Sequence, residues 1–168
     1  MAARKGSRGR RSGPAPSGGV GHGEYGMYPG VPAGMYDLLE RLSEQAGDSP
    51  DFGTPGISLD RTRLTIRWFG TPPAAVQRVL DAAGDGFTVV VEPTRFRPGD
   101  LRAEAERLLR EYAPLVRVAT ARPEGDGVEV LVEPAAADDA GGPRQALAAA
   151  GLTSELPLFP ERGTAPPD

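Results

Sequence analysis

Apolar residues recur every three or four positions in three stretches of the chain, which is the spacing of an amphipathic helix. The first stretch predicts a helix over residues 32–47, which Gly47 and Pro50 end. The second predicts a helix that starts after Thr71 as N-cap and stops at Gly84. The third predicts a long helix, Pro98–Tyr112, whose other side carries paired charges typical of a solvated face. The positions predicted to be buried are Met35, Leu38, Leu39, Leu42 and Ala46, then Val76, Val79, Leu80 and Ala83, then Leu101, Ala105, Leu108, Leu109 and Tyr112.

Between these helices, alternating and continuous apolar runs predict five strands. Residues 57–59 and 63–69 form two strands around a turn, and in the second of them apolar side chains alternate with basic or hydroxyl ones. Phe87–Val91 is β-branched and almost continuously apolar, which favours a central strand buried on both faces. Residues 115–122 and 128–133 predict a hairpin, in which Asp126–Gly127 supplies the positive φ angles of a tight turn.

The element order β-β-α-β-α-β-β predicts a mixed α/β (α+β) fold, a small two-layer sandwich with both helices on one face of a single sheet. We expect this α/β domain over residues 57–134, preceded by the amphipathic helix at 32–47. Residues 1–31 are basic and rich in Gly and Pro, which predicts a disordered tail. Residues 135–168 predict a flexible Ala/Pro-rich tail, in which residues 143–150 can form a short helix and in which three apolar residues can dock in a groove: Leu156, Leu158 and Phe159.

The sheet face without helices is the candidate binding surface. On the simplest register it carries a basic and apolar mixture of side chains: Arg63, Thr65, Arg67, Phe69, Thr88, Val90, Arg117, Ala119 and Leu131. From these we predict four contacts to a partner protein: Arg63, Arg67, Phe69 and Arg117. The pattern leaves open an alternative, in which the helix at 32–47 or the C-terminal tail covers this face. A register slip of one residue would also exchange the two faces.

Composition limits the kinds of catalytic and metal-binding site that the chain can form. The 168-residue chain has no cysteine and a single histidine, His22, which lies in a glycine-rich stretch. No thiolate metal site or disulfide can therefore form, and one unsupported imidazole makes neither a catalytic triad nor a zinc site. Gly84–Gly86 precedes a strand, whereas a dinucleotide-binding loop follows one. We predict a protein that is not an enzyme and uses no cofactor and no metal. An enzyme that works with carboxylates alone is the alternative, and it would need a pocket lined by Asp or Glu.

Charge is unevenly distributed along the chain. The net charge is −4, but the first eleven residues are basic. Five cations lie there without an acidic residue between them: Arg4, Lys5, Arg8, Arg10 and Arg11. The second functional hypothesis is therefore a nucleic-acid-associated accessory protein, with salt-sensitive contacts to phosphates and Phe69 available for base stacking. Residues 12–19 contain no apolar segment after these charges, so we expect no signal peptide. No apolar run approaches the roughly twenty residues that a membrane span requires, so we also expect no membrane span. Together these two expectations predict a cytoplasmic protein.

Three further segments carry a family resemblance: Leu64–Pro72, then Phe96 with Leu101–Ala105, then Gly125–Val128. They are similar to an N-terminal domain that precedes chymotrypsin-like peptidases in secreted actinobacterial proteins. That domain has a strand that ends in Trp and Gly, a helix that begins with Pro, and a hairpin with a Gly-rich turn. The resemblance implies a role similar to that of a protease pro-region, in which an open sheet embraces a partner protein and supplies no catalytic residue. We expect neither a secretion signal nor a peptidase domain here, and in both respects the chain departs from that family.

Overall fold

The structure, a computed structural model, describes residues 30–164. Its helices and strands follow the predicted order over the middle of the chain and continue beyond it. The mixed α/β class is confirmed, as is the succession β-β-α-β-α-β-β. In chain order the elements are α1 (Ala33–Ala46), β1 (Gly56–Ile57), β2 (Arg63–Trp68), α2 (Ala74–Asp81), β3 (Thr88–Pro93), α3 (Pro98–Tyr112), β4 (Val116–Ala121), β5 (Val128–Val132), α4 (Pro134–Ala140), α5 (Pro143–Ala149) and β6 (Leu158–Arg162).

The strands form two three-stranded sheets, in the orders β1-β2-β3 and β4-β5-β6, so the prediction of a single sheet is wrong. In each sheet an antiparallel hairpin is followed by a third strand that lies parallel to the hairpin's second strand. A helical crossover makes each parallel pairing, through α2 in the first sheet and through α4 and α5 in the second. The succession α-β-β-α-β over residues 33–93 therefore has a counterpart over residues 98–162, α-β-β-α-α-β, in which two helices make the crossover.

Each unit has its own hydrophobic core on one face of its sheet. In the first, the buried side chains of α1 and α2 cluster with Leu64, Ile66 and Trp68 of β2. In the second, α3, α4 and α5 cluster with three alternate valines of β5: Val128, Val130 and Val132. Because side chains alternate along a strand, the intervening residues of β2 and β5 point away from all of these helices. The alternative in which the helix at 32–47 covers the face of Arg63 and Arg67 is thereby excluded, since α1 packs on the other face of the first sheet.

The C-terminal region is the largest correction to the sequence analysis. Residues predicted to form a flexible tail instead supply α4, α5 and β6, and β6 pairs with β5 along its whole length. Leu156 and Leu158 pack against the second core and so give the segment apolar burial. The Pro-rich sequence of the segment does not indicate this burial. The short helix predicted at 143–150 is present as α5. The predicted N-terminal tail lies almost wholly outside the described residues.

Two local predictions are also wrong. The run Phe87–Val91 was expected at the centre of a sheet, but β3 lies at an edge and none of its residues is buried. In the β4–β5 hairpin, the positive φ angle falls at Gly125, with φ 69°, and not within Asp126–Gly127. Gly127 is required for a different reason, because a Cβ there would clash with the carbonyl oxygen of Pro157.

The two units meet at the start of α3. The N–H of Gly99 donates to the carbonyl of Pro50 at 2.7 Å, and the N–H of Phe96 donates to the carbonyl of Gly125 at 3.1 Å. Arg97 and Asp51 add an ion pair at 2.6 Å. The junction thus contains backbone hydrogen bonds and this ion pair, while the two hydrophobic cores stay separate.

Candidate partner-binding surface

The first sheet leaves one face without a helix among the described residues. On this face β2 presents Arg63, Thr65 and Arg67, because the alternate residues of β2 point into the core. The pairing register places Thr88, Val90 and Glu92 of β3 directly beside them. We call these six residues, together with Phe69 just beyond the end of β2, the open face, although Thr65 at its centre is buried. It is the part of the predicted binding surface that the structure brings together.

Arg67 is held within the molecule. One guanidinium nitrogen donates to the carbonyl of Thr54 at 3.2 Å, and Nε lies 3.7 Å from a carboxylate oxygen of Glu92. The side chain is only 18% exposed. It also lies close above Gly56, where a Cβ would come within 3.1 Å of Nη1. Arg67 therefore joins the segment before β1 to the edge strand β3, and much of its hydrogen-bonding capacity is used inside the fold.

Arg63 lies in a different environment at the start of β2. It is exposed and lines a shallow hollow of about 380 Å³ together with Ser58, Asp60, Thr62 and Thr88. The hydroxyl of Ser58 donates to Asp60 at 2.6 Å and, with bonds from Thr62, holds the pKa of Asp60 below its usual value. Within residues 30–164 the guanidinium of Arg63 forms no salt bridge. Its charge is available to a carboxylate from outside.

Phe69 lies at the other end of the same strand. Its N–H donates to the carbonyl of Asp51 at 2.9 Å, which fixes the backbone just beyond β2. The side chain remains 39% exposed, although Trp68 beside it is buried. Phe69 lies six positions after Arg63, which corresponds to about 20 Å in an extended chain. A cation and an aromatic ring thus mark the two ends of the open face.

Arg117 does not belong to this surface. It lies on β4 of the second sheet, at an irregularity between Val116 and Val118, and forms an ion pair with Glu133. The other residues expected beside it are also placed elsewhere. Ala119 is buried in the second core, and Leu131 lies on the second sheet's helix-free face. The prediction that all nine residues share one face is therefore wrong, because the strands that carry them lie in two sheets.

The second sheet has an apolar patch that sequence analysis missed. Val118 is 42% exposed and pairs with Leu131 of β5. Phe159 follows on β6, and the guanidinium of Arg122 lies 3.9 Å from the centre of its ring. The irregularity in β4 shifts the alternation of inward and outward residues, so the exposure of Val118 cannot be read from a simple period of two.

A groove of about 710 Å³ lies between α3 and residues 153–156. Arg107 dominates it and donates two hydrogen bonds to Glu104, at 2.7 and 2.8 Å, one to Glu111 at 2.7 Å, and one to the carbonyl of Thr153 at 2.9 Å. These bonds hold the pKa of Glu104 below its usual value, chiefly through Arg107. A carboxylate that is ionised and paired in this way is poorly suited to proton transfer near neutral pH.

Five predicted nucleic-acid contacts lie outside the described residues: Arg4, Lys5, Arg8, Arg10 and Arg11. Within residues 30–164, no group of three or more His, Cys, Asp and Glu side chains is placed to hold a metal ion. Among the described helices, none combines the length and the apolarity needed to cross a membrane. Comparisons of the chain with protein-family models, curated proteins and solved structures give no significant match.

Proposed function

We propose that this protein is a non-enzymatic binding module that holds a partner protein on the open face of its first sheet, in a role similar to that of a protease pro-region. The observation that carries the proposal is the exposure at the two ends of the face of β2 that α1 and α2 do not cover. In the middle of that face Thr65 is buried and Arg67 is only 18% exposed. At its ends lie Arg63, which is exposed and forms no salt bridge within residues 30–164, and Phe69, which is 39% exposed.

These two groups define the chemistry of the partner. Arg63 would receive a carboxylate, and the exposed part of Phe69 would take an apolar side chain about 20 Å away along the strand. A desolvated aromatic ring and an arginine are the residue types that most often dominate the energy of a protein interface. Arg67 has a supporting role in this proposal, because its bonds to Thr54 and Glu92 hold the surface between the two contacts.

The test compares two double variants of the full chain. Arg63→Glu with Phe69→Ser changes both contacts on the open face. Arg110→Glu with Tyr36→Ser makes the same chemical changes at exposed positions on α3 and α1, where the arginine side chain is 70% exposed and the tyrosine 59%. Each immobilised protein is incubated with extract, and the captured proteins are quantified by mass spectrometry.

The captured protein that depends on the open face is then purified, and its affinity for each variant is measured by calorimetry. We expect binding to wild type and to the control variant, and a loss of at least about a hundredfold for the open-face variant. Equal affinity for both double variants would remove the proposal. Circular dichroism spectra of the two variants establish that neither change unfolds the chain.

A further inference from the structure

A small polar cavity lies at the junction of the two units and has a volume of about 30 Å³. The segment before β1 lines it, together with Thr94, the residue that follows β3. The second unit contributes the start of α3 and the turn between β4 and β5. A molecule held in this cavity would therefore contact both units.

The Thr94 side chain, which lines the cavity, is buried with an unpaired hydroxyl. The residue is only 7% exposed, and within residues 30–164 no atom is placed to form a hydrogen bond with its Oγ1. Its backbone N–H is already used, in a bond of 3.0 Å to the carbonyl of Trp68. An unpaired buried hydroxyl is unfavourable, and in folded proteins nearly all such groups bond to protein atoms or to ordered water.

Two more buried atoms at this junction lack a hydrogen bond. They are Nε of Arg122, which lines the same cavity, and Oδ1 of Asp126. These two atoms lie 2.9 Å apart as an ion pair, but without the alignment that a hydrogen bond requires. Within residues 30–164, four buried side-chain polar atoms are unpaired in this way, and three of them belong to Thr94, Arg122 and Asp126. The unpaired atoms are thus concentrated at one place in the fold.

The size and the polarity of the cavity indicate what it binds. Polar cavities in proteins hold water, whereas apolar ones stay dry, and one water molecule needs at least about 10–15 Å³ and two to four polar partners. Both conditions are met here. We propose that an ordered water molecule occupies this cavity as part of the fold, hydrogen-bonded to the Thr94 hydroxyl, with Arg122 Nε as donor and Asp126 Oδ1 as acceptor. This water links the end of the first sheet to the hairpin of the second.

The charges around the cavity favour a neutral ligand. Arg122 is already paired with Asp126, and two nitrogens of Arg102 donate to the carbonyls of Phe52 and Ser49, at 3.1 and 3.4 Å. A small anion would be repelled by the carboxylate of Asp126, and a small cation by the two guanidinium groups. Water avoids both penalties, because it can accept from an N–H and donate to a carboxylate.

The first test uses crystal structures of the full chain, of Thr94→Val and of Thr94→Ser, at a resolution that shows ordered water. We expect a water molecule within hydrogen-bond distance of the hydroxyl of residue 94 in the wild type and in Thr94→Ser. The same water should be absent from Thr94→Val. A wild-type cavity without ordered water would overturn the proposal, as would a water that keeps its position in Thr94→Val.

The second test uses the sign of a change in stability. Thr94→Val replaces the hydroxyl by a methyl group of the same shape, so a hydroxyl that is bonded to water makes the variant less stable. We expect the equilibrium constant of unfolding in urea to rise about fivefold. The matched control is Thr120→Val, at an exposed position on β4, which should change this constant by less than about twofold. A Thr94→Val chain as stable as the wild type, or more stable, would show that the hydroxyl has no such partner and would overturn the proposal.

Discussion

Arg63 and Arg67 have the same side chain on the same face of the same strand, but the structure predicts losses of stability of different size for their substitution by glutamate. Arg67→Glu removes a hydrogen bond to the carbonyl of Thr54 and an ion pair with Glu92. It also places two carboxylates on directly paired residues, because Arg67 and Glu92 are register partners. Arg63 forms no salt bridge within the described chain, so Arg63→Glu breaks no such contact.

The size of the difference follows from these contacts. A hydrogen bond from a charged, mostly buried donor contributes about 1.5 kcal/mol. The looser ion pair at 3.7 Å contributes about 0.3 kcal/mol, since the carboxylate of Glu92 is half exposed. Facing like charges on neighbouring strands add a penalty of about 0.5 kcal/mol. Together these give a loss of about 2 kcal/mol in the free energy of unfolding for Arg67→Glu, against less than about 0.5 kcal/mol for Arg63→Glu.

Urea denaturation followed by circular dichroism measures both values at neutral pH. The reciprocal exchange, Arg67→Glu with Glu92→Arg, should recover the electrostatic part of the loss but not the hydrogen bond to Thr54. If Arg63→Glu and Arg67→Glu lower the free energy of unfolding equally, the assignment of Arg67 as an internal contact is wrong. The two arginines would then have to be treated alike as candidates for partner contact.

Three further predictions concern the groove, the unit junction and the N-terminal segment. Arg107→Met should lower stability at pH 7 but progressively less below pH 4.5, the ordinary pKa of glutamate. The folded-state pKa of Glu104 is depressed, so its contribution is present above that value and lost as the pH falls; a pH-independent difference in urea titrations would contradict this. Gly125→Ala should cost about 1–3 kcal/mol in thermal unfolding, because the residue has φ 69° and its new Cβ would lie 2.5 Å from Thr94 Cγ2; an unchanged melting temperature would refute it. If the basic segment binds nucleic acid, gel shifts should weaken steeply with salt and vanish when residues 1–11 are deleted; a salt-insensitive shift would exclude this mode of binding.

Local patterns predicted the elements that depend on local chemistry. The helix Pro98–Tyr112 has the predicted bounds because Pro98 starts it and apolar residues recur along one side. The alternation in β2 correctly placed Leu64, Ile66 and Trp68 in a core. The β4–β5 hairpin was also predicted, although its positive φ angle falls at a different glycine.

The elements that were missed depend on contacts between distant parts of the chain. β6 is short and contains Pro160, and its stability comes from parallel pairing with β5 and from Leu158 against the second core. The similar arrangement of the two units, each with a helix, a hairpin, a helical crossover and a parallel third strand, is equally hard to see in the sequence. The first unit fills its core from β2 with leucine, isoleucine and tryptophan, whereas the second uses three valines from β5. The same topology is thus built with different side chains.

Only part of the candidate surface could be predicted from the sequence. A period of two placed Arg63 and Arg67 together, but it could not show that Thr54 and Glu92 engage only the second. The pattern also could not show that Arg117 belongs to another sheet, because strand order is decided by long-range pairing. Sequence therefore predicted a face that includes Arg63 and Arg67, and the structure shows that internal contacts hold Arg67 whereas Arg63 is exposed.

The central claim is that a partner protein docks on the open face of the first sheet, and site-specific photo-crosslinking tests it most directly. A photoreactive phenylalanine analogue is placed at Phe69 in one protein and at Tyr36, an exposed aromatic residue on the helical side, in another. The account predicts that the probe at position 69 yields one dominant crosslinked protein that is absent from position 36 and is lost in the Arg63→Glu background. The same crosslinked products from both positions, or none from position 69, would contradict it.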